Sequence, residues 1–390
     1  MTMGRKLIVG GVILMTAMLT YCMLDQWTPR PPKPSAHTPE ATIDEAARGP
    51  IGSAVPIGTQ DIFHNDGALY SYVKQQGLPQ TITRLHELSS QYGDCHMPAH
   101  QAGRFAYSIY STEAFRSIAS ECHAGGFHGA VEAYFKEHGT AHLAADVKVI
   151  CRSELNQFFS HQCMHGIGHG LMAASNYDLP RALEHCNLLT EWQSSCWTGV
   201  FMENIVGGLG GHEEHREGHG TSAKHYVNED PHYPCTVVGE EYKSACYFLQ
   251  PTRMMQLFGP DFARIASACA DAPMPYRRVC FESMGREVGG MSRGRPTDAI
   301  QSCANAPPGE LRIGCLVGAV QDAFWDPSGQ DQALSFCKSL GAKDEKDACY
   351  EIIFMRAPQV LPSQREIQSF CGKVEAGYRT SCLKKRSVFS

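Results

Sequence analysis

A cysteine returns every 34 residues over the carboxy-terminal half of this chain, at Cys235, Cys269, Cys303, Cys337 and Cys371. Each has a second cysteine 11 or 12 positions on, at Cys246, Cys280, Cys315, Cys349 and Cys382. Cys186 and Cys196 make a sixth pair. A fixed period of this length is the mark of stacked structural repeats. In such arrays each unit contacts only its neighbours, and function sits on one extended face.

One unit reads as helix, tight turn, helix. The segments that end at the first cysteines, FARIASAC at Cys269, DAIQSC at Cys303, QALSFC at Cys337 and REIQSFC at Cys371, carry apolar residues at three- and four-residue spacing. Connectors rich in Pro and Gly follow, such as Ala272-Pro273-Met274-Pro275 and Pro307-Pro308-Gly309. These stop a helix and turn the chain. The second cysteine opens a new apolar run, as in CFESMGREV from Cys280 and CLVGAVQDAF from Cys315. A disulfide inside each hairpin closes a loop of about a dozen residues, which stabilises by roughly 3 kcal/mol in the chain-entropy model. The predicted fold is an all-α, right-handed-type α-solenoid of helical hairpins, each stapled by a disulfide. Cys151 and Cys163 extend the series, and pairing of Cys95 with Cys122 would complete eight bridges. The segment AFRSIASE before Cys122 reads as the end of a first helix.

Seventeen cysteines in 390 residues imply an oxidising compartment. Arg5 and Lys6 precede an apolar stretch from Leu7 to Leu24. Residues 1–27 are therefore expected to be a signal anchor, with the folded part on the extracytoplasmic side, or secreted if the signal is cleaved. Residues 28–60 are rich in Pro, Ala and Thr and read as an extended linker. Cys22 is the odd cysteine, but Tyr21 before it fits a lipoprotein processing site poorly. The formal charge of −6 carries no run of one sign, which argues against nucleic acid as a partner.

The histidines are distributed unevenly. Apart from His37 in the linker, all seventeen lie between His64 and His232, and the repeats beyond Pro234 have none. Architecture alone therefore does not demand histidine. In CHMPAHQAGR, His96 and His100 share one helical face; in CHAGGFHGAVEAYF, His128 precedes Glu132 by four; in HQCMHGIGHGLM, His161, His165 and His169 form a stripe over two turns. The position of His169, six past Cys163, recurs as Met202, Thr252, Arg286, Gln321 and Met355; the next gives Gly170, Glu203, Arg253, Glu287, Asp322 and Arg356. These are mostly polar, so they are expected to form one exposed, concave face.

Packed helices lie about 8–10 Å apart, close enough for rings on neighbouring units to meet at one ion. His96, His100, His128, His165 and His169 are the predicted metal ligands, and Glu132 and Glu203 the predicted catalytic carboxylates, as ligands or proton carriers. Imidazole suits zinc, copper and iron. The three glycines of HGIGHG, Gly166, Gly168 and Gly170, cost a helix roughly 3 kcal/mol against alanine. Close approach of a neighbouring backbone, or room for an ion, would offset that. Residues 61–205 thus read as His-rich repeats with the metal site, 206–234 as a Gly/His-rich insertion that is a lid or a solvated loop, and 235–390 as Cys-paired repeats.

No G-x-S-x-G, P-loop, H-E-x-x-H or C-x-x-C-H motif occurs. The expected function is transition-metal binding by a membrane-anchored helical-repeat protein, with a metal-dependent oxidoreductase or hydrolase activity. The alternatives are a scaffold for an envelope protein or peptide, with structurally hydrogen-bonded histidines, and a protein of metal storage or delivery.

Overall fold

A computed structural model describes residues 61–92, 95–116, 119, 121–151, 157–206, 226–324, 329–361 and 363–385. The expected anchor and linker lie outside these residues, as do positions 207–225 of the insertion. The described residues are helical, with no strand among them, and no described helix is long and apolar enough to cross a membrane.

Short and long helices alternate over most of the chain. The long ones are α3 (His96–Tyr110), α4 (Gly125–His138), α6 (Gln157–Ala174), α8 (Gln193–Val206), α9 (Lys243–Phe258), α11 (Met274–Met291), α13 (Glu310–Phe324) and α15 (Lys343–Val360). The short ones are α5 (Leu143–Ile150), α7 (Leu179–Asn187), α10 (Phe262–Asp271), α12 (Pro296–Cys303), α14 (Gly329–Ser339) and α16 (Gln364–Gly372). Before α3 stand α1 (Asp61–His64) and the kinked α2 (Asp66–Tyr92); α17 (Ala376–Lys385) comes last. The starts of α7, α10 and α16 are capped by Asp178, Asp261 and Ser363, whose side chains accept from the backbone N–H three residues on. Gly139 and Gly259 end α4 and α9 with φ of 66°, a left-handed value at which glycine is unstrained.

Eight disulfides lie among the described residues: Cys95–Cys122, Cys151–Cys163, Cys186–Cys196, Cys235–Cys246, Cys269–Cys280, Cys303–Cys315, Cys337–Cys349 and Cys371–Cys382. From Cys186 on, most join the end of a short helix to the early turns of the next long one. Their sulfurs lie in the core, among Leu, Ile, Phe and Ala.

The long helices pack on one another in order, α3 on α4, α4 on α6, α6 on α8, α8 on α9, and so on to α15. Glycines set how closely. A Cβ at Gly129 would stand 1.8 Å from the carbonyl oxygen of His100, and one at Gly199 would stand 1.9 Å from that of His165. Gly318 meets Glu282 in the same way, at 1.8 Å. The backbones themselves touch at these crossings. Of the three glycines in HGIGHG, Gly168 faces the Cys196 carbonyl, Gly170 faces Phe135 and Val131, and Gly166 faces the His128 and Phe127 rings. Backbone approach, one of the two expected offsets to their helical cost, is thus present at Gly168, while Gly166 makes room for rings.

Two expectations need correction. The residues described before Cys122 form no first α-helix. Residues Ser111–Arg116 make a 3₁₀ turn, and Cys122, His123 and Ala124 all take left-handed φ, 50°, 52° and 59°. Cys122 then immediately precedes a long helix, so the Cys95–Cys122 bridge ties the start of α3 to the start of α4. His128, six past Cys122, is therefore a true counterpart of His169. Second, the polar face of the long helices is largely covered. Glu203 is 2% exposed, Arg253 8%, Gln321 6% and Asp322 7%. In the later units several polar groups of this row pair with one another. Thr252 donates to Glu287 at 2.6 Å, Gln321 donates to Glu282 at 3.0 Å, and Arg356 donates to the Gln321 carbonyl at 2.7 Å. The row also bends so that α15 touches α6, and Arg293 reaches His123 at 3.1 Å.

Gly199→Ala is expected to destabilise the protein by about 1–3 kcal/mol, because the new methyl has only backbone to move against. Gly377→Ala, with open space around it in α17, should be neutral or stabilising by up to about 1 kcal/mol. Thermal unfolding of the two variants checks this, and equal stability would contradict backbone contact at Gly199.

Candidate metal centre

Five histidine rings meet where α3, α4, α6 and α8 pack. α3 supplies His96 and His100, α4 supplies His128, and α6 supplies His165 and His169. Glu132 comes from α4 and Glu203 from α8. All seven predicted site residues are buried, with His169 at 0%, His100 and His128 at 1%, and His165 and His96 at 7% and 8%. Two sets of three nitrogens, His96/His100/His128 and His128/His165/His169, each lie within 4.8 Å of one another. A further set, His100, Glu132, His169 and Glu203, meets the same measure. His161, at the near end of the stripe, turns to Ser195 instead, 2.7 Å from its Oγ.

The paired rings are oriented through Nδ1. His96 Nδ1 lies 2.9 Å from the Cys122 carbonyl, His100 Nδ1 2.6 Å from Glu132, His165 Nδ1 3.0 Å from Thr198 Oγ1, and His169 Nδ1 2.9 Å from Glu203. This leaves the Nε2 atoms of each pair facing each other, 3.1 Å apart in His96/His100 and 3.2 Å apart in His165/His169. Two nitrogens bound to one ion at about 2.0–2.1 Å are about 3.3 Å apart in tetrahedral geometry and about 2.9 Å in octahedral geometry. Ligating histidines characteristically donate the other N–H to a carbonyl or carboxylate, as here.

The tautomers sharpen the point. A carbonyl oxygen can only accept, so His96 carries its proton on Nδ1 and a lone pair on Nε2. The Thr198 hydroxyl donates to the Ser195 carbonyl at 2.7 Å, so its oxygen accepts from His165, which also presents an Nε2 lone pair. The partner rings, His100 and His169, present a second lone pair when their Nδ1–H donates to an ionised carboxylate. Two lone pairs at about 3 Å repel unless a proton or a metal ion lies between them. A neutral His100 or His169 can supply that proton only if its carboxylate takes the acid form and donates to Nδ1. Burial, and then the Glu132 charge, push Glu203 well above the ordinary carboxylate range. The His165/His169 pair can therefore hold a proton in the absence of metal and exchange it for an ion.

Both carboxylates are engaged beyond their histidines. Glu132 accepts from Arg104 at 2.8 Å, and Glu203 accepts from Tyr177 at 2.8 Å. They support the rings rather than stand open to a substrate. Burial, followed by the charges of neighbouring rings, holds His128, His165 and His169 well below the ordinary imidazole range. His161 is lowered to about 4, by burial and then by Arg356 and Arg286 from α15 and α11. His128 differs from the other four. Neither ring nitrogen makes a hydrogen bond of ordinary geometry, although the Gln162 backbone lies near enough to favour its charged form slightly.

Sequence reasoning missed Arg104, Tyr177, Thr198 and the Cys122 carbonyl. Arg104 stands four past His100 and was legible from that spacing. Tyr177 was not, because its reach to Glu203 depends on left-handed φ at Asn176 and Tyr177, 52° and 59°. Met202 was picked out only as a repeat position; its Sδ lies 3.4 Å from His165 Nε2. His86 stands beside Cys95 and Cys122, whose oxidised sulfurs offer no thiolate to a metal. His212, His215, His219 and His225 lie outside the described residues. No family model, curated protein or solved structure matches this chain.

The metal-free protein is expected to lose stability as pH falls from 6.5 towards 4. His128, His161, His165 and His169 are depressed in the folded state, so above pH 6.5 they are neutral both folded and unfolded and contribute nothing. Below pH 6.5 the unfolded chain takes up protons that the folded chain refuses, at about 1.4 kcal/mol per pH unit for each ring. Glu203, raised in the folded state, acts in the opposite sense, but as one group against four. Denaturant unfolding of the chelator-treated protein across this range measures the slope, and constant or rising stability towards pH 5 would contradict it.

Proposed function

We propose that this chain is a membrane-tethered, extracytoplasmic α-solenoid of disulfide-stapled hairpins whose amino-terminal half holds a transition metal on its histidine cluster. The observation that carries the reading is the facing of Nε2 atoms at 3.1 and 3.2 Å while each Nδ1 is held by its own oxygen. Eight disulfides favour an oxidising compartment, and Arg5 and Lys6 before the Leu7–Leu24 stretch favour an anchor. Among zinc, copper and iron, the Met202 thioether beside His165 favours copper, because soft sulfur suits it.

Burial narrows the chemistry. Rings almost wholly covered by packed helices leave no face for a large substrate. Of the two enzyme classes expected from sequence, the oxidoreductase fits better, acting on a small molecule or passing electrons. Glu132 and Glu203 then act through the rings they orient. The carboxy-terminal units, several of whose polar positions pair with one another, serve as scaffold or as a docking face for an envelope protein or peptide. Metal storage or delivery is the second reading, and the same burial favours it.

Elemental analysis of untagged protein, after dialysis, is expected to find at least one transition-metal ion per chain. A His100→Ala/His128→Ala/His165→Ala variant should carry none while keeping its helical circular dichroism. A metal-free wild type that takes up no added ion, or a variant with undiminished metal, would overturn the proposal.

A further inference from the structure

His128 is the one ring common to both sets of three nitrogens, and His100 and His169, one from each set, also approach to 5.1 Å between ring centroids. It projects from α4 between the pair on α3 and the pair on α6. Its ring centroid is 5.8 and 5.5 Å from those of His96 and His100, and 5.2 and 4.9 Å from those of His165 and His169. A ring bound through one nitrogen has its centroid roughly 3 Å from the ion, so two rings on one tetrahedral ion lie about 5 Å apart. Both sets meet that measure, and the α6 set meets it more closely. Both His128 nitrogens are buried and make no hydrogen bond of ordinary geometry, a rare condition for a buried polar atom. The α6 helix makes room for the ring at Gly166, where a Cβ would come within 2.9 Å of His128 Cδ2.

We infer that the centre holds two metal ions, one on His96 and His100 and one on His165 and His169, with His128 joining them through its two nitrogens. This rests on the metal-binding reading above and specifies its nuclearity. Each ion then has three imidazole nitrogens, and the α6 ion has the Met202 sulfur in addition within reach. The first ion binds neutral His128 through its lone pair. The second takes the other nitrogen, whose proton leaves to water, so the ring becomes an imidazolate and no electron is transferred. With metal–nitrogen bonds of about 2.0 Å on either side of the ring, the ions lie roughly 6 Å apart. Two ions at that distance, sharing one conjugated ligand, can accept or release electrons as a coupled pair.

The test is titration of the metal-free full chain with Cu(II), followed by electron paramagnetic resonance at low temperature. Two copper ions per chain are expected to bind, with a spin count far below two because an imidazolate bridge couples the spins antiferromagnetically. His165→Ala/His169→Ala and His96→Ala/His100→Ala should each retain about one copper, with one full spin. His128→Gly should lose the coupling, and added imidazole should restore it. The two pair variants keep the test open should the His128 variant fail to fold. One copper per wild-type chain, or two with two full spins, overturns the bridge while leaving the metal-binding reading intact. No copper bound at all sinks both.

Discussion

Contact between helix backbones at Gly129, and at Gly168 and Gly199, brings α4 nearer to α3 and α8 nearer to α6 than ordinary side chains allow, while Gly166 and Gly170 make room for α4 side chains against α6, and the centre depends on that approach. Imidazole is a short side chain. Rings on adjacent helices can share an ion only when the helix axes are close and the rings lie level. The glycines provide the first condition and the disulfides help to fix the second, because each bridge holds the beginning of a long helix in register with what precedes it. The same device recurs at Gly285 and Gly318 between α11 and α13, where no histidine is present. Close packing therefore belongs to the architecture, and the histidines use it.

The contrast between the two halves of the chain is one of polar accounting. Long helices bury a polar row in both halves. In the carboxy-terminal half, Thr252, Glu287, Glu282, Gln321 and Arg356 pair donor with acceptor, and Arg253 donates to Gln256 and to the Asn228 carbonyl. In the amino-terminal half, each pair of rings brings two Nε2 atoms face to face with room for a proton or an ion between them, and neither His128 nitrogen makes a hydrogen bond of ordinary geometry. A buried row of that kind is costly unless something cationic completes it. The strained turns agree with this. Left-handed φ at Cys122 and at Tyr177 costs of order 1–3 kcal/mol each. Those two residues supply the carbonyl that holds His96 and the hydroxyl that holds Glu203.

Much of this was legible in the sequence. The 34-residue cysteine period and the apolar spacing around it give most of the helices and the bridges within hairpins, because both depend on local pattern; Cys95–Cys122, with a sequence separation of 27, follows only as the pair left over. The i, i+4 spacing of His96/His100 and His165/His169 gives each pair for the same reason. What was not legible depends on contacts between units. The Cys122 segment read as a helix, since AFRSIASE has helical periodicity, but three left-handed residues in succession have no composition cue when none is glycine. The polar face read as exposed, because polarity usually signals solvent; here most of the row is covered by neighbouring units, and α15 also bends back to touch α6. Glu132 and Glu203 were visible as carboxylates near histidines, but their commitment to Arg104 and Tyr177 required three-dimensional positions.

X-ray absorption at the edge of the bound metal tests the central claim most directly, since it reads the ligands without perturbing them. The account predicts a first shell dominated by nitrogen at about 2.0–2.1 Å, with the outer-shell scattering of two or more imidazoles. A first shell of oxygen alone, or one without imidazole scattering, would place the metal elsewhere and contradict it.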